Sequence, residues 1–187
     1  MGEGWTMSEI RQTIMTSKEI ELAIKRIGMQ ILELHHSRDT LAIVGIYTCG
    51  VFLARRIHAF LEAQTGKEIS FGSLDINLYR DDWSLVSQNP VVKTTDIPFD
   101  VDNSQIILVD DVLFTGRTIR AAMEAVMDYG RPDIIQLAIL FDRGGRELPI
   151  QPDYVGMQTT IEGHQKIKVL MEDGTTGPYG GEVLIEG

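Results

Sequence analysis

Apolar positions along this chain recur with two alternating periods. Over residues 16–36, Ile20, Ile24, Ile27, Ile31 and Leu34 fall at 4-3-4-3 spacing, which predicts a helix with one buried face. Thr16 and Glu19 supply a capping box at its start. LAIVGI at 41–46 is a short apolar run, the pattern of a buried strand. Helical spacing returns over 50–64, with Leu53, Ile57 and Phe60 on one face and Gly66 as the stop. Residues 69–79 alternate as a strand does. Residues 81–104 are polar, carry two prolines and keep no period, a length that in a compact domain belongs to a functional or mobile loop. A strand at 105–109, a helix from about 116 to 129, the stop Gly130-Arg131-Pro132 and a strand at 134–141 follow. Short strand candidates lie around 166–171 and 182–185. Strands alternating with helices predict an α/β fold with a mostly parallel central sheet and right-handed crossovers. With no repeat, low-complexity stretch or linker, residues 1–187 read as a single domain.

The chemistry concentrates in IILVDDVLFTGRTIRAAM, Ile106 to Met123. Four apolar residues run into adjacent carboxylates, Asp110 and Asp111, at the carboxyl edge of a buried strand, where open α/β sheets bind ligands. Carboxylates there accept hydrogen bonds from the vicinal hydroxyls of a ribose. Thr115, Gly116, Arg117 and Thr118 then offer backbone N–H groups, two hydroxyls and a guanidinium at a helix N-terminus, which suits a phosphate. A ribose 5-phosphate joins the two. The plainer readings are an acidic pair drawn to a helix macrodipole and simple capping by the threonines; capping and phosphate binding use the same geometry.

Other phosphate motifs fail on inspection. There is no G-x-G-x-x-G. Gly45 to Gly50 has the glycine spacing of a P-loop, but Val51 and Phe52 stand where lysine and Ser/Thr are required. The net charge of −10 and sequence pI near 4.8 argue against a nucleic-acid binder, whose affinity rests on phosphate contacts from a basic face. Residues 151–187 alone carry Lys166 and Lys168 against six acids. One cysteine, Cys49, excludes an internal disulfide and a multi-cysteine zinc site. His35, His36, His58 and His164 lack metal-ligand spacing and read as packing residues. No apolar stretch reaches membrane-span length and the start has no signal-peptide pattern, so a cytoplasmic protein without membrane partners is expected.

Taken with VGIYTCG at 44–50, LDINLYRDD at 74–82, GRP at 130–132 and DRGGRELPIQPDYVG at 142–156, the 106–123 segment resembles the type I phosphoribosyltransferases. The resemblance covers roughly residues 15–170 and is closest to the PyrR branch, whose members are uracil phosphoribosyltransferases and RNA-binding regulators of pyrimidine operons. It implies the type I phosphoribosyltransferase fold, with a flexible loop over the active site. It also implies conversion of uracil and 5-phosphoribosyl 1-diphosphate (PRPP) to UMP and diphosphate with Mg²⁺, in a homodimer or larger assembly. In that reading Asp110 and Asp111 hold the ribose hydroxyls, directly or through metal-bound water. Thr115 to Thr118 anchor the 5′-phosphate. Arg80 neutralises the pyrophosphate leaving group, although Tyr79 to Asp82 also read as a solvated strand end. Tyr47, Thr48, Cys49 and Gly50 form the pyrophosphate loop, where the family commonly has a strained peptide bond. Asp142, Arg143 and Gly144 recognise the base.

The chain departs from that pattern at specific positions. Tyr47 stands where the branch usually has a basic residue and Cys49 where it has arginine; Cys49 otherwise reads as a small residue packed under the loop. RNA-binding relatives usually have histidine at Gly145 and basic residues near Gln151 and Met157. On that side Lys25, Arg26 and Arg146 remain. Two classes therefore stand: an enzyme making UMP, and an RNA-binding attenuator responsive to UMP or UTP with weak or absent catalysis. An enzyme that has lost RNA binding, or one acting on another base, completes the set.

Overall fold

In the computed structural model, residues 11–35, 40–81, 94–161, 165–171 and 181–186 are described. The central sheet, expected to be mostly parallel, has five strands, the last of them not read from the sequence, and every neighbouring pair in it is parallel. Its strands are β2 (Leu41–Ile46), β3 (Ser70–Leu74), β4 (Gln105–Leu113), β5 (Ile134–Asp142) and β6 (Tyr154–Gln158), in the order β3-β2-β4-β5-β6. Three helices flank it: α1 (Ser17–His35), α2 (Cys49–Thr65) and α3 (Arg117–Met127). β1 (Arg11–Met15), β8 (Gly181–Glu186) and β7 (Lys166–Met171) form a separate antiparallel sheet. No helix among the described residues is long and apolar enough to cross a membrane.

Alternation along each parallel strand builds two cores. Ile43, Ile107, Val109 and Leu140 face α1 and α2, while Val44, Ile106, Leu108 and Ile139 face α3. Met15, Val169 and Val183 of the antiparallel sheet join the first cluster, so the second sheet is fastened to the first by apolar packing. Burying an Ile or Leu side chain stabilises by about 1.5–3 kcal/mol.

Local chemistry sets the helix ends. The Thr16 N–H donates to Glu19 Oε2 (2.8 Å) and the Glu19 N–H to Thr16 Oγ1 (3.4 Å), a reciprocal capping box. Gly66, at φ 64°, ends α2 with its N–H on Glu62 O (2.8 Å).

Several boundaries differ from expectation. The strand expected over 69–79 ends at Leu74, because the Asp75 carboxylate accepts the Asn77 N–H (2.9 Å) and turns the chain into a short 3₁₀ helix, Asn77–Tyr79. The strand expected at 105–109 continues to Leu113, since β5 pairs with it through Leu113↔Asp142. Asp110 and Asp111 therefore lie on the strand and are not a helix N-terminal pair. The helix expected to reach 129 ends at Met127. Leu34, expected on the buried face of α1, is 62% exposed, and His35 is buried in its place. There His35 sits within 2.6 Å of both Gln105 Oε1 and Gln136 Oε1. His58 contacts Ile69 O at 2.7 Å; His36 and His164 lie outside the described residues. Of the 81–104 loop, 82–93 is also outside them. The remainder is tied to β3, with Asp96 and Ser73 exchanging backbone hydrogen bonds of 2.8 Å.

Candidate active site

The strand order places the site. The chain leaves β2 to one side, forming β3, and returns on the other side as β4, so the carboxyl ends of β2 and β4 open onto the crevice where doubly wound sheets take ligands. Four expected segments meet along this edge. The Tyr47–Gly50 loop follows β2, Arg80 follows β3, the Asp110 to Thr118 segment closes β4, and the Asp142–Gly144 turn follows β5.

Asp110 is 5% exposed, and its Oδ1 accepts the Asp111 N–H at 3.0 Å. Burial holds the Asp110 carboxyl well above the usual carboxylate range, Asp111 adds to the rise, and Arg80 lowers it by less. Burial also raises Asp111, against lowering hydrogen bonds that include the Cys49 thiol. Two adjacent acids thus share a poorly solvated edge. Among the described residues no group of three His, Cys, Asp or Glu is gathered as a metal site. An oxygen-only pair of this kind does fit Mg²⁺, which binds through one or two carboxylates together with substrate phosphates.

The Tyr47–Gly50 loop lies directly against this pair. A Cβ on Gly50 would stand 2.6 Å from Val109 O and 3.0 Å from Asp110 Oδ1, so only glycine allows the approach. The Tyr47–Thr48 peptide is cis. Tyr47 accepts a hydrogen bond at its hydroxyl from Ser73 Oγ (3.2 Å). Cys49 opens α2, with Sγ 3.7 Å from Val169 O.

Beyond β4, Thr115 to Thr118 line a cavity of about 330 Å³ together with Arg80, Asp81, Phe114 and Glu147. Gly116 takes φ 93° before the first residue of α3, and the Arg117 N–H donates to Thr115 Oγ1 (3.3 Å). Arg117 also reaches two carboxylates, Nη1 to Asp81 Oδ2 (2.5 Å) and Nε to Glu147 Oε2 (2.7 Å).

The Asp142–Gly144 turn is organised from within. Asp142, 2% exposed, accepts the Gly144 N–H (3.0 Å) and pairs with Arg146 (2.7 Å), while the Arg143 N–H donates to Leu113 O (3.1 Å). Two N–H groups of the turn are therefore already engaged. The Arg143 guanidinium lies 4.1 Å from the centre of the Phe114 ring. Gly145, at φ 76°, leaves no room for a Cβ, which would meet Phe114 at 2.5 Å.

Arg146 is not the surface cation its sequence position suggests. Besides Asp142 it donates to Ile150 O and Phe114 O, both at 3.0 Å, and its side chain is 15% exposed. Arg26 donates to the carbonyls of Val155 and Gly156, and Lys25 pairs with Glu21 at 2.6 Å. Phe114, Asp81, Glu147 and Arg146 join the site without having been singled out for it from sequence. The available signals were modest: an acid directly after Arg80, and an Asp–Arg pair four apart at 142 and 146.

The phosphoribosyl transferase domain family matches residues 11–172. A relative from Deinococcus radiodurans named bifunctional protein PyrR is 47% identical, over 90% of this chain and 93% of its own length. This chain belongs to the PyrR family of phosphoribosyltransferases. Relatives of the same name from Caldicellulosiruptor bescii and Bacillus cereus are 49% and 47% identical, covering 86% and 87% of this chain and 88% and 92% of their own. The fold likeness extends to distant structures. A hypoxanthine phosphoribosyltransferase from Staphylococcus aureus aligns with TM-score 0.61 at 19% identity, over 81% of this chain and 79% of that one. A hypoxanthine-guanine phosphoribosyltransferase from Bacillus anthracis aligns with TM-score 0.63 at 16% identity, over 83% and 86%. Both are type I phosphoribosyltransferase folds, as the motif order led one to expect.

Proposed function

We propose that this chain transfers the phosphoribosyl group of PRPP to N1 of uracil, yielding UMP and diphosphate. The observation that carries this is the convergence on one sheet edge of the Asp110–Asp111 pair, the Thr115–Thr118 turn around its cavity and the Asp142–Gly144 turn. The bond from C1′ to the diphosphate oxygen breaks, the C1′–N1 bond forms, and the N1 proton is released. The diphosphate is already a good leaving group, so the chain's task is to position both substrates, exclude water and stabilise positive charge developing on the ribose ring. Asp110 and Asp111 hold the ribose hydroxyls close to that charge. The backbone of Thr115 to Thr118 and the hydroxyls of Thr115 and Thr118 bind the 5′-phosphate. Arg80 and the Tyr47–Gly50 amides take the diphosphate. The remaining main-chain groups of the 142–144 turn read the pyrimidine edge. Asp110 and Asp111 would hold Mg²⁺, directly or through water, and the ion would supply charge neutralisation for the departing diphosphate.

The whole chain acts in this reading as a single domain, supported by the apolar cluster that spans both sheets, and as a cytoplasmic homodimer or larger assembly. The engagement of Arg26 and Arg146 with carbonyls, and of Lys25 with Glu21, favours the enzyme over an RNA-binding attenuator. The test is UMP formation from uracil and PRPP with Mg²⁺, for wild type and Cys49→Arg. Turnover by the wild type with uracil alone among the bases supports the proposal. Activity appearing only in Cys49→Arg would indicate a binding protein on a phosphoribosyltransferase scaffold, and salt-dependent retention of pyrimidine-leader RNA would then favour the regulator.

A further inference from the structure

Arg117 ties together three segments that leave the sheet separately. It is the first residue of α3, after β4. Asp81 follows the 3₁₀ turn beyond β3, and Glu147 belongs to the connection after β5. Its Nη1 lies 2.5 Å from Asp81 Oδ2 and its Nε 2.7 Å from Glu147 Oε2, and all three residues line the 330 Å³ cavity. With Arg80, that cavity carries two cations and two carboxylates, so it is electrically balanced before any ligand enters. A phosphate dianion entering it meets two carboxylates unless it takes over the N–H groups they occupy.

We infer that Asp81 and Glu147 are positioning residues which clasp Arg117 and surrender it to the incoming 5′-phosphate. They thereby set the affinity for the phosphoribosyl substrate and favour a dianion over weaker anions. This rests on the reading of Thr115 to Thr118 as the phosphate turn. Local geometry suits such an exchange. The three side chains are 49%, 41% and 53% exposed, so each pair breaks at small cost. The backbone of Glu147 is fixed, because its N–H and that of Leu148 donate to Thr115 O at 3.0 and 3.1 Å. Release of Arg117 therefore requires only that the Asp81 and Glu147 side chains rotate, with the phosphate turn left intact.

The test is calorimetric titration of ribose 5-phosphate into wild type, Asp81→Asn, Glu147→Gln, the double variant, and Glu68→Gln. The last removes the same charge from an exposed position before β3, at the opposite end of the sheet. Each clasp variant is expected to bind ribose 5-phosphate roughly two- to fivefold more tightly, the double variant more tightly than either, and Glu68→Gln as wild type does. In turnover the gain appears in KM for PRPP with kcat unchanged, a split that a merely structural role would not produce. Binding unchanged or weakened in the clasp variants, with wild type binding normally, overturns the clasp alone. If neither wild type nor any variant binds ribose 5-phosphate, the phosphate reading falls as well.

Discussion

Arg146 closes its guanidinium on the Asp142 carboxylate at 2.7 Å, in a pair whose side chains are 15% and 3% exposed. The same guanidinium holds the carbonyls of Phe114 and Ile150, so it splints the end of β4 to the turn after β5. Removing one partner of a nearly buried pair strands the other charge. Arg146→Ala is expected to destabilise the fold by about 3 kcal/mol, measured by denaturant unfolding. It should also raise KM for uracil more than KM for PRPP. Arg146→Lys should recover only part of the loss, because one ammonium cannot serve a carboxylate and two carbonyls in a fixed fork. A variant as stable as wild type would return Arg146 to the surface.

The Asp110–Asp111 pair makes opposite demands on stability and function. Burial raises both carboxyls, so in the folded state they hold protons that the unfolded chain gives up earlier. Below the ordinary carboxylate range both states are protonated and the pair contributes nothing to the pH dependence. As pH rises from that range toward the raised folded values, the unfolded state is favoured, and the loss persists above them. Asp110→Asn removes the larger part of this. Its melting temperature should exceed that of wild type by a margin that grows as pH rises above the ordinary carboxylate range, reaching roughly 2–4 °C, the size of a 1 kcal/mol change in a chain of this length. Turnover should fall about a hundredfold or more. A margin independent of pH would mean that Asp110 is not the buried titrating group, and full turnover in both Asp110→Asn and Asp111→Asn would remove the pair from the mechanism.

Gly145 is the departure whose consequence is most directly structural. The family resemblance implies that RNA-binding members of the branch usually have histidine at this position. Here the residue is at φ 76° and a Cβ would meet the Phe114 ring at 2.5 Å. Gly145→His alone should cost about 1–3 kcal/mol of stability through backbone strain and displacement of Phe114. In Gly145→His with Phe114→Ala the steric part should be relieved, and the two costs should be non-additive. Additive unfolding energies would separate the two residues.

What the sequence disclosed depended on whether side-chain pattern or chain pairing decided the outcome. β2 matched its apolar run residue for residue, and α1 and α2 matched within a residue at each end, because burial and capping there are written in the residues themselves. β4 overran its apolar run by four residues, since its ladder to β5 continues through Asp110 and Asp111 regardless of their side chains. β1 was not read at all: RQTIM is mostly exposed, and only its pairing with β8 makes it a strand. The candidate site was legible where backbone geometry demands particular residues, as at Gly50 and Gly116. The carboxylate partners of Arg117 come from distant segments, which no local pattern brings together; Arg146 has Asp142 four residues away, but its bond to Phe114 O is equally non-local.

Arg80 follows a residue that is anchored to α3. The residue before it, Tyr79, is held twice. Arg120 Nη2 donates to its carbonyl at 2.9 Å, and its hydroxyl donates to Asp128 Oδ2 at 2.6 Å. The second bond raises the Tyr79 phenol above its ordinary range. Both anchors lie on α3 or at its end, so the helix that begins at the Thr115–Thr118 turn also fixes where the Arg80 side chain starts. Removing the anchors should blur that position while leaving that turn as it is. Tyr79→Phe with Arg120→Met is expected to lower kcat for UMP formation about tenfold and to leave ribose 5-phosphate affinity within twofold, with a stability loss of only about 1–2 kcal/mol for two partly exposed hydrogen bonds. Arg80→Ala in the same background should add little, because the two changes disable one function. If the losses multiply instead, Arg80 acts independently of its anchors, and its placement must be credited to contacts it makes itself.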